Sequence, residues 1–167
     1  MSQVFVSGHK SPDTDSIAAA LSYSYLKRRL GMDAVAVRAG EINKESRFAL
    51  DYFNLEEPML VTSVARKNPE DEKQKVILVD HNESKQTIDG MDDAEVLEII
   101  DHHRFGDFES ENPIFILVRP VGCVNTVIYG LYKANHIRLS REIAGIMLSA
   151  IISDTCLLYT SPSPRDA

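Results

Sequence analysis

Three apolar runs in this chain, Val4-Phe5-Val6, Val76-Ile77-Leu78-Val79 and Leu97-Glu98-Ile99-Ile100, are each followed by side chains that bind cations. Runs this short and this rich in Val and Ile read as buried strands, and open α/β sheets collect their functional groups at the carboxyl edge. The segments that follow are His9-x-x-x-Asp13-x-Asp15, Asp80-His81-Asn82-Glu83 and Asp101-His102-His103, and a fourth, Ser153-Asp154-Thr155, comes late in the chain. Four separate segments ending in ligand side chains predict an α/β domain that brings them together as one polynuclear metal site.

The intervening sequence supplies the alternation such a domain needs. Strands are expected at 3–7, 34–38, 59–62, 75–79, 97–100 and 114–118, and helices at 16–30, 43–53, 124–135 and 140–152. In the first helix Ile17, Ala20, Leu21, Ser24 and Tyr25 recur at helical spacing, Asp13 or Asp15 is placed to cap it, and Lys27-Arg28-Arg29 sits where the helix dipole favours positive charge. Asn43, with Glu45 in the first turn, caps the second helix, and Ser140 caps the last, with Asp154 just beyond its end. Alternation of this kind favours a mostly parallel sheet with helices on both faces. The polar stretch 65–74 reads as a surface connection.

With 167 residues and 44% hydrophobic content, the chain can bury one core, and 7% aromatics without Trp make that core aliphatic. A net charge of -7 opposes attraction to nucleic acid or an acidic membrane, although bound cations would reverse the field locally. No apolar run approaches the roughly 18 residues needed to cross a bilayer, and no leader pattern opens the sequence. A soluble cytoplasmic protein is expected. Cys123 and Cys156 lack metal or redox spacing and read as buried thiols.

Carboxylates suit hard divalent cations, and added imidazole shifts preference toward Mn²⁺, Co²⁺, Fe²⁺ or Zn²⁺. Asp13, Asp15, Asp80 and Asp154 with His9 and His102 are too many donors for one ion and suit two bridged by a carboxylate. Such a pair generates a hydroxide near neutral pH and neutralises charge on a phosphoryl group, which points to hydrolytic phosphoryl transfer. The loops of P-loop NTPases, dinucleotide-binding domains and serine hydrolases are all missing from the sequence. Taken singly, His81 reads as a polar loop residue and His136 as a surface residue near a helix end. Glu41, Asn43 and Glu45 read as capping rather than as ligands.

Taken in order, His9-Lys10-Ser11-Pro12-Asp13-Thr14-Asp15-Ser16-Ile17, Val79-Asp80-His81-Asn82-Glu83, Asp101-His102-His103 and Ser153-Asp154-Thr155 resemble the DHH phosphoesterase superfamily and, within it, the manganese-dependent (family II) inorganic pyrophosphatases. The resemblance implies that His9, Asp13 and Asp80 hold one metal and that Asp15, Asp80, His102 and Asp154 hold the second, with Asp80 as bridge. It further implies that His103 faces the substrate phosphate, that Asp101 orients the histidines from behind, and that Asn82 approaches substrate. Two divalent ions are implied, Mn²⁺ first, with Co²⁺ or Mg²⁺ as alternatives. So are pyrophosphate as substrate and a homodimer.

Family members continue into a second domain whose Lys and Arg residues clamp pyrophosphate. Residues 1–158 are therefore expected to be the DHH metal-binding domain, 159–167 a disordered or non-native tail, and the substrate-clamp domain absent. On this expectation the chain is a fragment of a pyrophosphatase that hydrolyses pyrophosphate to two phosphates, with reduced activity on its own. A DHH-type nuclease or nucleotide phosphodiesterase and a non-catalytic metal-binding or dimerisation fragment are the alternatives. The first motif, Pro-Asp-Thr-Asp-Ser, and the acidic charge weigh against the nuclease.

Overall fold

The protein is described by a computed structural model over residues 3–155. Six parallel strands form one sheet: β1 (Val4–Ser7), β2 (Ala34–Arg38), β3 (Met59–Leu60), β4 (Lys75–Val79), β5 (Glu95–Asp101) and β6 (Phe115–Val118). Four helices accompany them: α1 (Thr14–Arg29), α2 (Lys44–Tyr52), α3 (Val124–Ala134) and α4 (Arg141–Asp154). The expected α/β class holds, with every strand pair parallel among the described residues. The expected tail at 159–167 and Cys156 lie outside them.

The strand order is β3-β2-β1-β4-β5-β6. From β1 the chain builds outward through β2 to β3, then returns to the other side of β1 and builds outward again. The reversal leaves a crevice between the carboxyl ends of β1 and β4, where Ser7 is in register with Leu78. Crevices at such reversals are where open parallel sheets bind ligands. The loops after Ser7 and Val79 are therefore neighbours by topology.

One face of the sheet, formed by Val4, Val6, Ala34, Ala36, Ile77, Val79 and Ile100, packs on α1, α3 and α4. Helix α1 shows more burial than a single apolar stripe predicts. Residues 14–20 are all buried, as are Ser22, Tyr23, Ser24 and Leu26, because α1 is covered by the sheet on one side and by α2, α3 and α4 on others. The run Ala18-Ala19-Ala20 keeps it slim enough to fit. Polar side chains carry the seams: Glu98 on β5 accepts hydrogen bonds from Tyr23 at 2.6 Å and Lys27 at 2.5 Å.

The opposite face departs from the expected second helical layer. Val37, Val76, Leu78 and Ile99 are covered there by Val64, Ile88, Met91, Ala94 and Phe108, which lie on loops and beside two 3₁₀ turns (Ser84–Gln86 and Met91–Asp93). Coiled segments and two 3₁₀ turns, rather than α-helices, seal that side. Element ends also differ from expectation. α1 begins at Thr14 with Asp13 as its cap, accepting from Ser16 N at 2.9 Å, so Asp15 lies inside the first turn. α4 runs through Asp154, which is its last residue rather than a residue beyond it. Asn43 and Ser140 cap α2 and α4 as expected.

Candidate metal centre

The loop from Gly8 to Asp13 is held to the start of α1. His9 N donates to Ser16 Oγ at 3.0 Å, and a Cβ at Gly8 would run into the Ser16 side chain, so only glycine lets the strand end pass this close. This places His9 Nε2 3.7 Å from Asp13 Oδ1 and 3.4 Å from Asp80 Oδ2.

Asp80 is the centre of the arrangement. Its backbone turns into the left-handed region, with φ 63°, immediately after β4, while its N–H still donates to Ile100 O. Asp is among the few residues that enter this region at modest cost. Its carboxylate is 2% exposed and splits its two oxygens: Oδ2 faces His9, and Oδ1 faces His102 Nε2 at 3.1 Å. His102 Nε2 is also 3.5 Å from Asp15 Oδ2. His102 Nδ1 is 2.8 Å from Val121 O, and a carbonyl can only accept, so a proton sits on Nδ1 and Nε2 is the nitrogen free to bind a cation.

Asp15 and Asp154 complete the cluster, with Cys123 alongside. One donor atom from each of the three lies within 4.8 Å of the others. Asp154 reaches the site from the last turn of α4, and Ser153 beside it donates to Glu45 Oε1 at 2.8 Å. The same Glu45 oxygen accepts from Thr14 Oγ1, between Asp13 and Asp15, at 2.5 Å. Glu45, which read as a helix-cap residue, thus bridges the two helix ends that carry the carboxylates.

Protonation reflects the crowding. Burial raises the pKa of Asp15, and the Asp80 charge raises it further. Asp154 is pushed up to about 8 by burial and then by the charge and hydrogen bond of Asp15. Burial opposes charge on His9, yet Asp13 and Asp80 outweigh it and carry its pKa to about 10. Burial likewise opposes charge on His102, and Asp80 with Val121 O brings it to about 9. Asp15 and Asp154 are thus pushed toward protonation by crowding, while Asp13, although burial opposes its charge, is held below the ordinary carboxylate range by His9 and Ser16 N. The donor set of carboxylate oxygens and imidazole nitrogens fits divalent cations in two groups sharing Asp80.

Asp101 and His103 stand one step further out. Asp101 is fully buried; its Oδ1 accepts from His102 N, His103 N and His103 Nδ1 at 2.7, 3.2 and 2.8 Å. That contact aims the half-exposed His103 ring and raises its pKa. Asn82, expected near substrate, is instead 1% exposed and fully engaged within the protein. Its amide donates to Asp101 Oδ2 at 2.5 Å and Arg104 O at 3.0 Å, and its Oδ1 accepts from Gly106 N. It ties the loop after β4 to the loop after β5.

His81, which read as a polar loop residue, is buried as well. Its Nδ1 donates to Val79 O at 2.9 Å, its Nε2 has no hydrogen-bond partner among the described residues, and burial lowers its pKa to about 4. Four features of the site carry no local signal in sequence: the Val121 carbonyl on His102, the Cys123 thiol and the Asn125 amide, which both donate to Asp15, and the Glu45 bridge, which holds Thr14 and Ser153 beside the carboxylates. Each joins residues far apart in the chain.

The chain is 49% identical over 166 residues to the probable manganese-dependent inorganic pyrophosphatase of an Exiguobacterium species, covering 99% of this chain and 52% of that protein. To the protein of the same description from Bacillus licheniformis it is 52% identical over 163 residues, covering 98% and 51%. The crystal structure of a Methanococcus jannaschii protein assigned to the family II inorganic pyrophosphatases superposes with a TM-score of 0.82 at 37% identity, over 98% of this chain and 53% of that one. The chain therefore spans about half the length of the relatives it matches. Its crevice of aspartates and histidines, Asp154 excepted, lies within a segment, residues 3–151, that matches the family model described as DHH family, N-terminal domain, and that match together with the parallel sheet places the chain in the DHH family.

Proposed function

We propose that this chain is the metal-holding part of a manganese-dependent inorganic pyrophosphatase that hydrolyses pyrophosphate to two phosphates. One observation carries the reading: the two oxygens of a single buried carboxylate, Asp80, face two different histidines, His9 and His102. In this reading His9, Asp13 and Asp80 hold one cation, and Asp15, Asp80, His102 and Asp154 hold the other. Two bound divalent ions supply a nucleophile at neutral pH and neutralise charge on the phosphoryl group. Mn²⁺ is the first choice because it accepts both carboxylate and imidazole, and because the relatives are described as manganese-dependent.

The chain's own residues do the rest. Asp101 holds Nδ1 of His103, leaving Nε2 of the half-exposed ring to donate to a phosphate oxygen or to protonate the leaving phosphate. Val121 O keeps His102 in the tautomer that binds a cation. Asn82 positions Asp101 rather than touching substrate. Residues 1–158 are assigned to this domain, and the cationic clamp for pyrophosphate to the half of the relatives that this chain does not span.

A cytoplasmic homodimer is proposed, with no role for nucleic acid or membrane. β6 supports the dimer: it ends the sheet, its sequence Phe-Ile-Leu-Val carries no charge, and Phe115 and Ile116 are 51% and 43% exposed. Such an edge invites a second strand.

The test is phosphate release from pyrophosphate with Mn²⁺, by this chain alone and by the chain fused to the C-terminal half of the Bacillus licheniformis relative. The fusion is expected to turn over at least about 100-fold faster, because orientation and charge stabilisation of the substrate both need the clamp. Equal rates for the two proteins would remove the incomplete-site reading, and preferential cleavage of a short oligonucleotide would replace pyrophosphatase with nuclease.

A further inference from the structure

Asp15 is held unlike the other carboxylates of the centre. Its Oδ1 accepts from Cys123 Sγ at 2.8 Å, Asn125 N at 3.3 Å and Asn125 Nδ2 at 2.6 Å. Its Oδ2 accepts from Val124 N at 2.8 Å and is the oxygen that faces His102 Nε2. An oxygen with three donors has no direction left for a cation, whereas one with a single donor keeps a lone pair free. The two oxygens are therefore chemically unequal before any ion arrives.

Asn125 sets this inequality. It is fully buried, and its amide cannot flip without loss: Nδ2 also donates to the Asp15 carbonyl at 3.1 Å, and Oδ1 accepts from Ser22 Oγ at 3.0 Å. Tyr132 extends the same seam by donating to Ser22 O at 2.5 Å. The orientation of the amide is thus locked by contacts between α1 and α3 that lie away from the metal crevice. A fully satisfied buried network of this kind rigidifies what it touches.

Resting on the two-metal reading above, we propose that Asn125 is a positioning residue for the second metal position. By occupying Oδ1, it makes Asp15 a one-oxygen ligand through Oδ2, directed at the ion shared by Asp80 and His102. Cys123 assists from the same side. Partners that orient a ligand typically change metal affinity 10- to 100-fold when removed.

The experiment is Mn²⁺ titration calorimetry on the full chain, with circular dichroism to verify folding and electron paramagnetic resonance to detect a spin-coupled Mn pair. Wild type is expected to take up two Mn²⁺. Asn125→Ala is expected to keep one at near wild-type affinity, to bind the other 10- to 100-fold more weakly, and to lose the coupled-pair signal at sub-saturating Mn²⁺. Two unchanged affinities, or both weakened alike, would overturn the proposal. Fewer than two Mn²⁺ on wild type would instead overturn the two-metal reading itself. Should Asn125→Ala not fold, Asn125→Ser keeps a small polar side chain and removes the amide donor to Oδ1: weakening of one position only supports the proposal, and unchanged binding overturns it.

Discussion

Asp80 and His81 are adjacent in sequence and opposite in chemistry. Asp80 offers its two oxygens to two histidines, so removing its charge weakens both groups at once. Asp80→Asn is expected to lower bound Mn²⁺ from two to at most one, with at least about a 100-fold loss of pyrophosphate turnover in the fusion protein, read by metal analysis and phosphate release. His81 instead lies neutral in the interior, with its pKa lowered to about 4. The unfolded chain binds a proton at His81 below about pH 6.5 while the folded chain does not, so its contribution is fully present above pH 6.5 and lost as pH falls toward 4. His9 and His102 act in the opposite sense in the metal-free fold: their raised values give stability that is present below pH 6.5 and fades as pH rises toward 9 or 10. Comparing wild type with His81→Phe cancels those two. Between pH 7 and pH 5 the wild type is expected to lose about 2 kcal/mol more than the variant in urea unfolding. At this scale the candidate ligands could be picked out of the sequence because most of them follow an apolar run. The burial of His81 and the full engagement of Asn82 could not, because both depend on loops that meet only after β4 and β5 have paired.

Among the elements, the strands followed from their Val and Ile content and the helices from their caps, whereas several boundaries moved once packing was complete. Asp154 joins α4 because the helix keeps its hydrogen-bonding pattern through the last turn, with Thr155 N donating to Ile151 O. The amphipathic stripe read on α1 understates its burial, since a helix covered on several sides buries Ser and Ala as readily as Ile. Small residues serve other seams too: a Cβ at Gly145 of α4 would clash with the Phe53 ring that closes α2. The edge strand β6 provides the test at this scale. Ile116→Lys places a charge on the exposed strand, and light scattering is expected to show a dimer for wild type and a monomer for the variant, with the circular dichroism spectrum unchanged. A dimer in both would move the interface elsewhere.

At the scale of the whole molecule, the centre draws on four segments, and its ligands converge only when sheet and helices are assembled. Ions that bind the folded state alone must therefore stabilise it. Mn²⁺ at 100 times its dissociation constant is expected to add about 2.7 kcal/mol per independent site and to raise the melting temperature by several degrees, reversed by a chelator. Proton competition sets the pH dependence of that shift. Mn²⁺ displaces protons from His9, His102 and Asp154, whose values of about 10, 9 and 8 lie above neutrality, so the shift is expected to grow between pH 6 and pH 9. A melting temperature indifferent to Mn²⁺ would count against the assigned ligands.

Apolar runs and the side chains that end them were sufficient to infer a mostly parallel α/β sheet with candidate metal ligands at its carboxyl edge, because strand burial and ligand chemistry are written locally. The order of the strands was not, and it is the reversal between β1 and β4 that makes His9 and Asp80 neighbours across a crevice. Nor could any spacing show that Asn125 would grip Asp15 or that Glu45 would join α1 to α4, since such contacts link residues 31 to 110 positions apart. Which residues can bind a cation is a property of side chains. Which oxygen of each faces the ion depends on hydrogen bonds between distant segments, and those exist only in the folded chain.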